Sequence, residues 1–216
     1  MVANPVPHQR PYGREEVLAD AIVHGGAIVA ALVAGGYMLA RTIGASGGAQ
    51  IAALAVYVLS LVAMLSFSAA YNLTPVSPLK WILRRFDHSA IYVMIAGTYT
   101  PILVQLPPAW SLPLAAIVWG GAVFGILLKV LMPGRLDMLA VVIYLALGWV
   151  GVFAGKTLVQ SLPALTLILI VVGGFIYSAG VPFYLWERLK FQNAIWHGFV
   201  VAAAACQFVG IAALYP

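Results

Sequence analysis

Eight polar side chains interrupt stretches that are otherwise apolar enough for lipid, and their types are those that do chemistry. In hydrocarbon, a buried polar or charged group costs several kcal/mol unless a partner satisfies it. Side chains kept in such places indicate a site where they satisfy one another or bind a ligand. The eight residues are Asp20, His24, Ser68, Asn72, Asp87, His88, Asn193 and His197.

Six of these residues form pairs that are four residues apart: Asp20 with His24, Ser68 with Asn72, and Asn193 with His197. Residues at this spacing share one face of an α-helix, so the members of a pair point the same way. Two histidines on one face would indicate a metal site, but no pair contains two. The chemistry alone therefore favours a hydrogen-bonded cluster over a metal site, and a proton relay through the ionisable members stays open.

The composition shows what surrounds these residues. Of 216 residues, 63% are hydrophobic and 8% charged, and the mean hydropathy is +1.02. A chain with so few charges cannot hide its apolar surface in one soluble core, so it is predicted to be a multi-pass protein of the cell (plasma or inner) membrane. The net charge of +5 is scattered between apolar runs, which argues against nucleic acid as a partner. The expected partners are membrane lipids, and an oligomer is compatible with the sequence.

Seven apolar stretches come close to the length of about 20 residues that crosses a membrane. The predicted fold is all-α, with a leader over residues 1–16 and one transmembrane domain over 17–216. Within the third stretch, Thr98, Tyr99, Thr100 and Pro101 are expected to be structural, because proline frees a carbonyl that a threonine hydroxyl can satisfy. The predicted spans are 17–41, 50–72, 85–106, 110–131, 136–158, 162–184 and 192–214.

The distribution of lysine and arginine predicts the orientation. Nine of the eleven cations fall on the side that holds the N-terminus, and only Arg41 and Lys156 fall on the other side. Positive loops stay inside the cell, so the N-terminus is predicted to be cytoplasmic and the C-terminus outside. The eight polar residues then belong to the cytoplasmic third. The nine cations are Arg10, Arg14, Lys80, Arg84, Arg85, Lys129, Arg135, Arg188 and Lys190.

Four segments together resemble the bacterial hemolysin III family, which belongs with the progestin and adipoQ receptors, including the adiponectin receptors. They are EEVLADAIVHGG in the first span, SFSAAYN at the end of the second, LRRFDHSAIYVMIAGTYTP in the third and NAIWHGFVVAAA in the last. The resemblance covers nearly the whole chain. It implies seven helices, a cytoplasmic N-terminus and, in relatives, a zinc ion near the cytoplasmic face.

The resemblance also implies where a zinc site would lie. The family's serine falls on Ser68 and its aspartate on Asp87, whereas the three metal positions fall on Asn72, Asn193 and His197. An amide oxygen is a weak zinc donor compared with imidazole, so we expect no cofactor and a degenerate zinc site. The two asparagines are expected to bond to each other, to His197 and to Asp87.

A displaced site is the alternative. His24, His88 and His197, with Asp20 and Asp87, could bind zinc instead, although His24 and His88 belong to the family pattern as residues beside the ligands.

Three functions follow from these observations. The substitutions favour a hemolysin III-like protein that is not an enzyme and acts in membrane homeostasis or sensing, or in a cytolysis-related, channel-like role. A zinc-dependent lipid amidase, resembling the ceramidase-like adiponectin receptors, would need a metal that these ligands hold poorly. A proton-linked channel or transporter would use the ionisable residues as relay groups.

Overall fold

The computed structural model of the protein describes residues 12–132 and 136–215. Residues 1–11, which include most of the predicted leader and Arg10, lie outside the described part, as do Pro216 and residues 133–135 with Arg135. Within the described ranges the secondary structure is helical and contains no β-strand, which confirms the all-α fold class.

The helices follow one another with short connections. Six segments are long and apolar enough to cross a membrane, which confirms a multi-pass membrane protein. Segment Asp137–Ser161 counts once among them, although a 3-10 turn, Val150–Ala154, divides it. The helices are α1 Arg14–Thr42, α2 Gly48–Leu73, α3 Pro78–Leu103, α4 Pro108–Leu131, α5 Asp137–Trp149, α6 Gly155–Ser161, α7 Ala164–Leu185 and α8 Gln192–Ala212.

Helix α3 begins seven residues before the predicted start at residue 85, so that prediction was wrong. The side chain of Ser77 accepts a hydrogen bond from the Lys80 amide at 3.3 Å, and Pro78 occupies the first helical position. Proline is favoured there because its missing N–H would have had no partner within the helix. The charged residues of this first part lower its hydropathy, so the sequence does not mark it as an apolar stretch.

The helices pack so that the end of the chain returns to its beginning. Helix α1 lies against α2 and α8, α3 lies between α2 and α4, and α7 packs along α8. Helix α2 is the most buried of the six candidate spans. Its Tyr57, Leu61 and Met64 belong to the main hydrophobic core, together with Met94 of α3 and Val200 of α8. This arrangement brings the polar ends of α1, α2, α3 and α8 to one place.

The 3-10 turn inside the fifth predicted span is held by Tyr99 of α3. The Tyr99 hydroxyl donates to the carbonyl oxygen of Gly148 at 2.8 Å and accepts from the amide of Gly151 at 2.9 Å. A Cβ atom at Gly151 would lie 3.0 Å from this hydroxyl, so the approach requires glycine or a shift of the ring. Thr98 and Thr100 donate to the carbonyls of Met94 and Ala96. The hydroxyls of Thr98, Tyr99 and Thr100 thus form hydrogen bonds with backbone groups.

We predict that Tyr99→Phe destabilises the protein by about 1–3 kcal/mol, because the substitution leaves a carbonyl and an amide of the broken span without their partner. The measurement is denaturation in detergent. Tyr37→Phe is the matched control, since Tyr37 is 65% exposed on α1. Equal stability of the two variants would contradict the role given to the Tyr99 hydroxyl.

Candidate functional site

Helix α1 turns a stripe of three ionisable side chains inward. Glu16, Asp20 and His24 are spaced by four residues, and all three are buried, with 7%, 2% and 2% of their surface exposed. Spacing of four keeps them on one face, which packs against α2 and α8. A buried carboxylate needs strong partners, and α8 supplies them.

Glu16 fixes the start of α8, a role that the sequence did not reveal. Its carboxylate accepts a hydrogen bond of 2.7 Å from the backbone amide of Phe191, the residue that precedes α8. Phe191 has a φ of 59°, a left-handed conformation that costs a non-glycine residue energy and needs support from its surroundings. In the sequence, Glu16 could have been recognised by its position four residues before Asp20, which places both on one helix face.

Asp20 connects both histidines of the cluster. Its Oδ1 atom lies 2.6 Å from Nδ1 of His197, and its backbone carbonyl lies 2.9 Å from Nδ1 of His24. Carboxylate and carbonyl oxygens only accept, so each neutral imidazole carries its proton on Nδ1. Both rings therefore direct an unprotonated Nε2 away from Asp20.

The two Nε2 atoms converge on Ser68 of α2. Ser68 Oγ lies 3.1 Å from Nε2 of His24 and 3.3 Å from Nε2 of His197. The ring centroids of the two histidines are 4.3 Å apart, at an interplanar angle of 63°. Three helices thus contribute to one hydrogen-bonded group, in which a single hydroxyl proton has two nitrogen acceptors.

The two asparagines extend this group. The side-chain amide of Asn193 donates to Oδ1 of Asn72 at 3.1 Å, as expected from the sequence. The amide of Asn72 donates to the backbone oxygen of Ser68 at 2.9 Å and lies 3.4 Å from its Oγ. The described connection to His197 therefore runs through Ser68.

Asp87 and His88 mark the point where two polar groups meet. Asp87 is within electrostatic reach of Ser68 and His197, whereas His88 is within reach of Arg84, Lys129 and Asp137. The side chains of Asp87 and His88 approach to 3.9 Å. Seven of the eight polar residues predicted from the sequence, all but Asp20, line one cavity, in which His88 lies within reach of a second polar group.

A second polar group, absent from the sequence predictions, joins α3, α4 and α5. Asp137 is bonded by Arg84 at 2.7 Å and by Lys129 at 2.6 Å. The side chain of Lys129 is only 3% exposed. A lysine in the last turn of an apolar helix, followed by an acid at the start of the next, was the signal in the sequence.

A cavity of about 300 Å³ separates the two groups. Ser68, His24 and His197 line one side, and Arg84, Lys129 and Asp137 line the other. Asp20 lies behind the histidines and does not line the cavity. Met64, Leu65, Val200 and Val201 form part of an apolar wall beside the Ser68 side. The cavity is therefore amphipathic.

Comparison with known proteins shows the family of the chain. The sequence pattern of a family described as Haemolysin-III related matches residues 14–208. The chain belongs to the hemolysin III family. It is similar to the hemolysin-3 homolog of Bacillus subtilis (strain 168), at 34% identity over 195 residues, which cover 90% of this chain and 92% of that protein. It is also similar to hemolysin-3 of Bacillus cereus, at 33% identity over 197 residues, which cover 90% and 89%.

The zinc ion implied by the family resemblance does not fit its three expected positions here. Two of the positions hold amides, and Asn72 Oδ1 already accepts a hydrogen bond from Asn193. Zinc prefers imidazole, thiolate or carboxylate, and this set offers one imidazole.

A different buried group, Asp20, His24 and His197, could hold a metal ion, because its candidate ligand atoms lie within 4.8 Å of one another. However, the 2.6 Å contact between Asp20 and His197 is a hydrogen-bond distance. Two ligands of tetrahedral zinc, each about 2.0 Å from the ion, stand about 3.3 Å apart. The observed arrangement is therefore hydrogen-bonded. His88 and Asp87, the other members of the displaced site considered from the sequence, do not belong to this group.

We predict that Asp137→Asn lowers the free energy of unfolding by about 3 kcal/mol, because it leaves two cations, Arg84 and Lys129, without their shared carboxylate. Denaturation in detergent measures the change. Glu15→Gln is the control: Glu15 pairs with Lys190 at 3.8 Å, but their side chains are 79% and 72% exposed. Its change should stay within about 0.5 kcal/mol. A similar small change for Asp137→Asn would refute a stabilising role.

Proposed function

We propose that this chain is a membrane protein of the hemolysin III family that acts without zinc at the family's metal position. The observation that carries this proposal is the hydrogen bond between Asn193 and Asn72, which occupies the place where the family's ligands would meet. Hydrogen bonds hold the helices together there in place of a metal ion. We therefore expect no zinc-dependent hydrolysis at this position, because the residues there do not suit the zinc ion that would serve as the Lewis acid.

The proposed role is membrane homeostasis or sensing, or a cytolysis-related function. The name hemolysin-3, which the relative from Bacillus cereus bears, supports the second. The two polar groups meet at one cavity near one end of the helices, and no polar stripe continues along them. A water-filled pore through one copy is therefore disfavoured, and cytolysis would require an oligomer or a perturbation of membrane lipids.

The proposed topology has seven spans, with a cytoplasmic N-terminus and the C-terminus outside. Helix α3 supplies the seventh span: it has 26 residues and packs between α2 and α4. A helix of this length can cross the hydrocarbon core. Its charged first turns, with Lys80, Arg84 and Arg85, explain why its composition differs from that of the other spans. The excess of cations on one side supports the orientation.

The proposed topology predicts opposite labelling at the first two loops. In a Cys206→Ala background, Ala45→Cys should react with an impermeant maleimide in intact cells, because it lies in the outer loop between α1 and α2. Val76→Cys, in the loop between α2 and α3, should react only after the membrane is opened. Both positions are exposed. The reverse pattern would overturn the orientation, and labelling of both from outside would overturn the number of spans.

Zinc content tests the proposed function. We expect the natural chain, purified in mild detergent without chelators, to contain much less than one zinc per chain by mass spectrometry. The Asn72→His, Asn193→His double variant should bind about one, because two imidazoles return. The Asn72→Gln, Asn193→Gln variant is the control for a changed amide position. Stoichiometric zinc in the natural chain would refute the proposal and direct attention to Asp20, His24 and His197.

A further inference from the structure

Three side chains of the cluster stand in the order carboxylate, imidazole and hydroxyl. Asp20 Oδ1 lies 2.6 Å from Nδ1 of His197, and the Nε2 atom of the same ring lies 3.3 Å from Ser68 Oγ. A hydroxyl next to a base, with the base oriented by a third group, is the arrangement that activates a serine nucleophile. The three residues come from α1, α8 and α2, so sequence spacing alone could not reveal their order.

We propose that Ser68, His197 and Asp20 form a metal-free acyl-transfer site that hydrolyses carboxylic esters carrying an acyl chain. This inference goes beyond the proposed function, which excludes only chemistry that depends on the family's zinc. Ser68 is the nucleophile and His197 the general base. Asp20 is the positioning residue that holds the His197 ring and stabilises its protonated form.

The orientation of Ser68 distinguishes it from other hydroxyls in these helices. Ser60, Thr98 and Ser178 each donate to a carbonyl three or four residues earlier in their own helix. Hydroxyls in helices commonly satisfy themselves in this way. The Ser68 hydroxyl instead faces the two imidazoles and the amide of Asn72, and the carboxylate of Asp87 also interacts with it. The Nε2 atoms of the two imidazoles are therefore among the acceptors that the Ser68 proton can reach.

The distances select His197 over His24 as the base. Both Nε2 atoms reach Ser68, but the Nδ1 atom of His24 is 3.5 Å from the Asp20 carboxylate, whereas that of His197 is 2.6 Å away. The closer carboxylate gives the greater stabilisation to an imidazolium that forms during the reaction. His24 is tied to the Asp20 backbone carbonyl and supports the position of Ser68.

Burial separates the reacting groups from the group that orients them. Ser68 and His197 line the cavity, so a substrate placed there can reach them. Asp20 is 2% exposed and stands behind His197. The side-chain amide of Asn72, which donates to the Ser68 backbone oxygen at 2.9 Å, also lies 3.4 Å from Ser68 Oγ. An amide in this position can stabilise the oxyanion that forms when the serine attacks a carbonyl.

The walls of the cavity indicate the substrate class. Met64 lies one turn before Ser68 on the same face of α2, and Val200 and Val201 follow His197 by one turn on α8. An acyl chain can lie against these apolar side chains while its carbonyl stands at Ser68. The hydrophobic contact along the chain then holds the reacting carbon in place.

The proposed reaction consumes one water. Ser68 Oγ forms a bond to the carbonyl carbon while its proton passes to Nε2 of His197. The bond from that carbon to the alcohol oxygen breaks, and His197 returns the proton to the leaving alcohol. Water then attacks the acyl-serine ester, gives its proton to His197, and the restored Ser68 takes that proton as the carboxylic acid leaves. No electron is transferred to another compound.

The test uses the purified full chain in detergent with two probes, a fluorophosphonate that labels activated serines and p-nitrophenyl esters of increasing chain length. We expect the fluorophosphonate to modify Ser68, located by peptide mass spectrometry, and the hydrolysis to be unaffected by zinc chelators. Ser68→Ala should reduce kcat/KM by about 10³-fold or more. Ser60→Ala, on the same helix, is the matched control and should keep full activity.

Three further variants test the roles of the neighbours. Asp20→Asn should reduce kcat by about 10³ to 10⁴-fold with little change in KM, and Asp20→Glu should restore part of the loss. Asn72→Ala should reduce kcat by about 10²-fold. The proposal is overturned if the natural, folded chain shows no labelling of Ser68 and no ester hydrolysis, if Ser68→Ala remains active, or if chelators abolish the activity. The labelling is measured on the natural chain, so it decides even where a variant fails to fold.

Discussion

The contact between Asp20 and His197 is the constraint on which the site depends. A carboxylate 2% exposed inside a membrane protein needs a close donor, and the imidazole of His197 provides one at 2.6 Å. Forming this contact requires α1 and α8 to lie side by side. It also fixes the tautomer of His197, which in turn directs Nε2 to Ser68. The contacts that satisfy the Asp20 carboxylate thus tie α1, α8 and α2 to one another.

The polar groups on the two sides of the cavity are stabilised in different ways. On one side, amides, a hydroxyl and imidazoles share hydrogen bonds around the carboxylate of Asp20, and the carboxylate of Asp87 also interacts with Ser68. On the other side, two cations share the carboxylate of Asp137. Asp87 and His88, neighbours on α3, stand between these groups: Asp87 interacts with Ser68, His197 and Arg84, whereas His88 interacts with Arg84, Lys129 and Asp137. The two groups are therefore near enough to influence each other electrostatically, although they are built from different helices.

The sequence predicted the residues of the first group better than those of the second. Asp20, His24, Ser68, Asn72, Asn193 and His197 could be found because each interrupts an apolar stretch and shares a helix face with another. Glu16 escaped notice because it stands at a helix start, where acids are ordinary. Arg84 and Lys129 entered the predictions only as cations of the cytoplasmic side, and Asp137 was not singled out, because hydropathy cannot show that such charges turn inward.

The same limits explain the errors in the fold. The apolar stretches located most helices, but they placed the start of α3 too late, because its first turns carry Lys80, Arg84 and Arg85. The 3-10 turn at Val150–Ala154 was also missed. It lies within an unbroken apolar run, and its cause is a tertiary contact with Tyr99, 49 to 52 residues away in the chain. The local sequence cannot indicate a contact with a residue that far away in the chain.

The pairing of α1 with α8 has a consequence for biosynthesis. The contacts of Glu16 with Phe191 and of Asp20 with His197 join residues 175 and 177 positions apart. During translation the inward face of α1 enters the bilayer long before its partner exists, and chains are made at about 5–20 residues per second. For roughly ten seconds or more these carboxylates have only the partners close to them in sequence, the Gly13 amide and His24, besides water and lipid headgroups. A chain that stops before α8 would leave Glu16 with the Gly13 amide and Asp20 with His24, so two acids that the complete fold pairs with α8 would keep only the partners near their own helix.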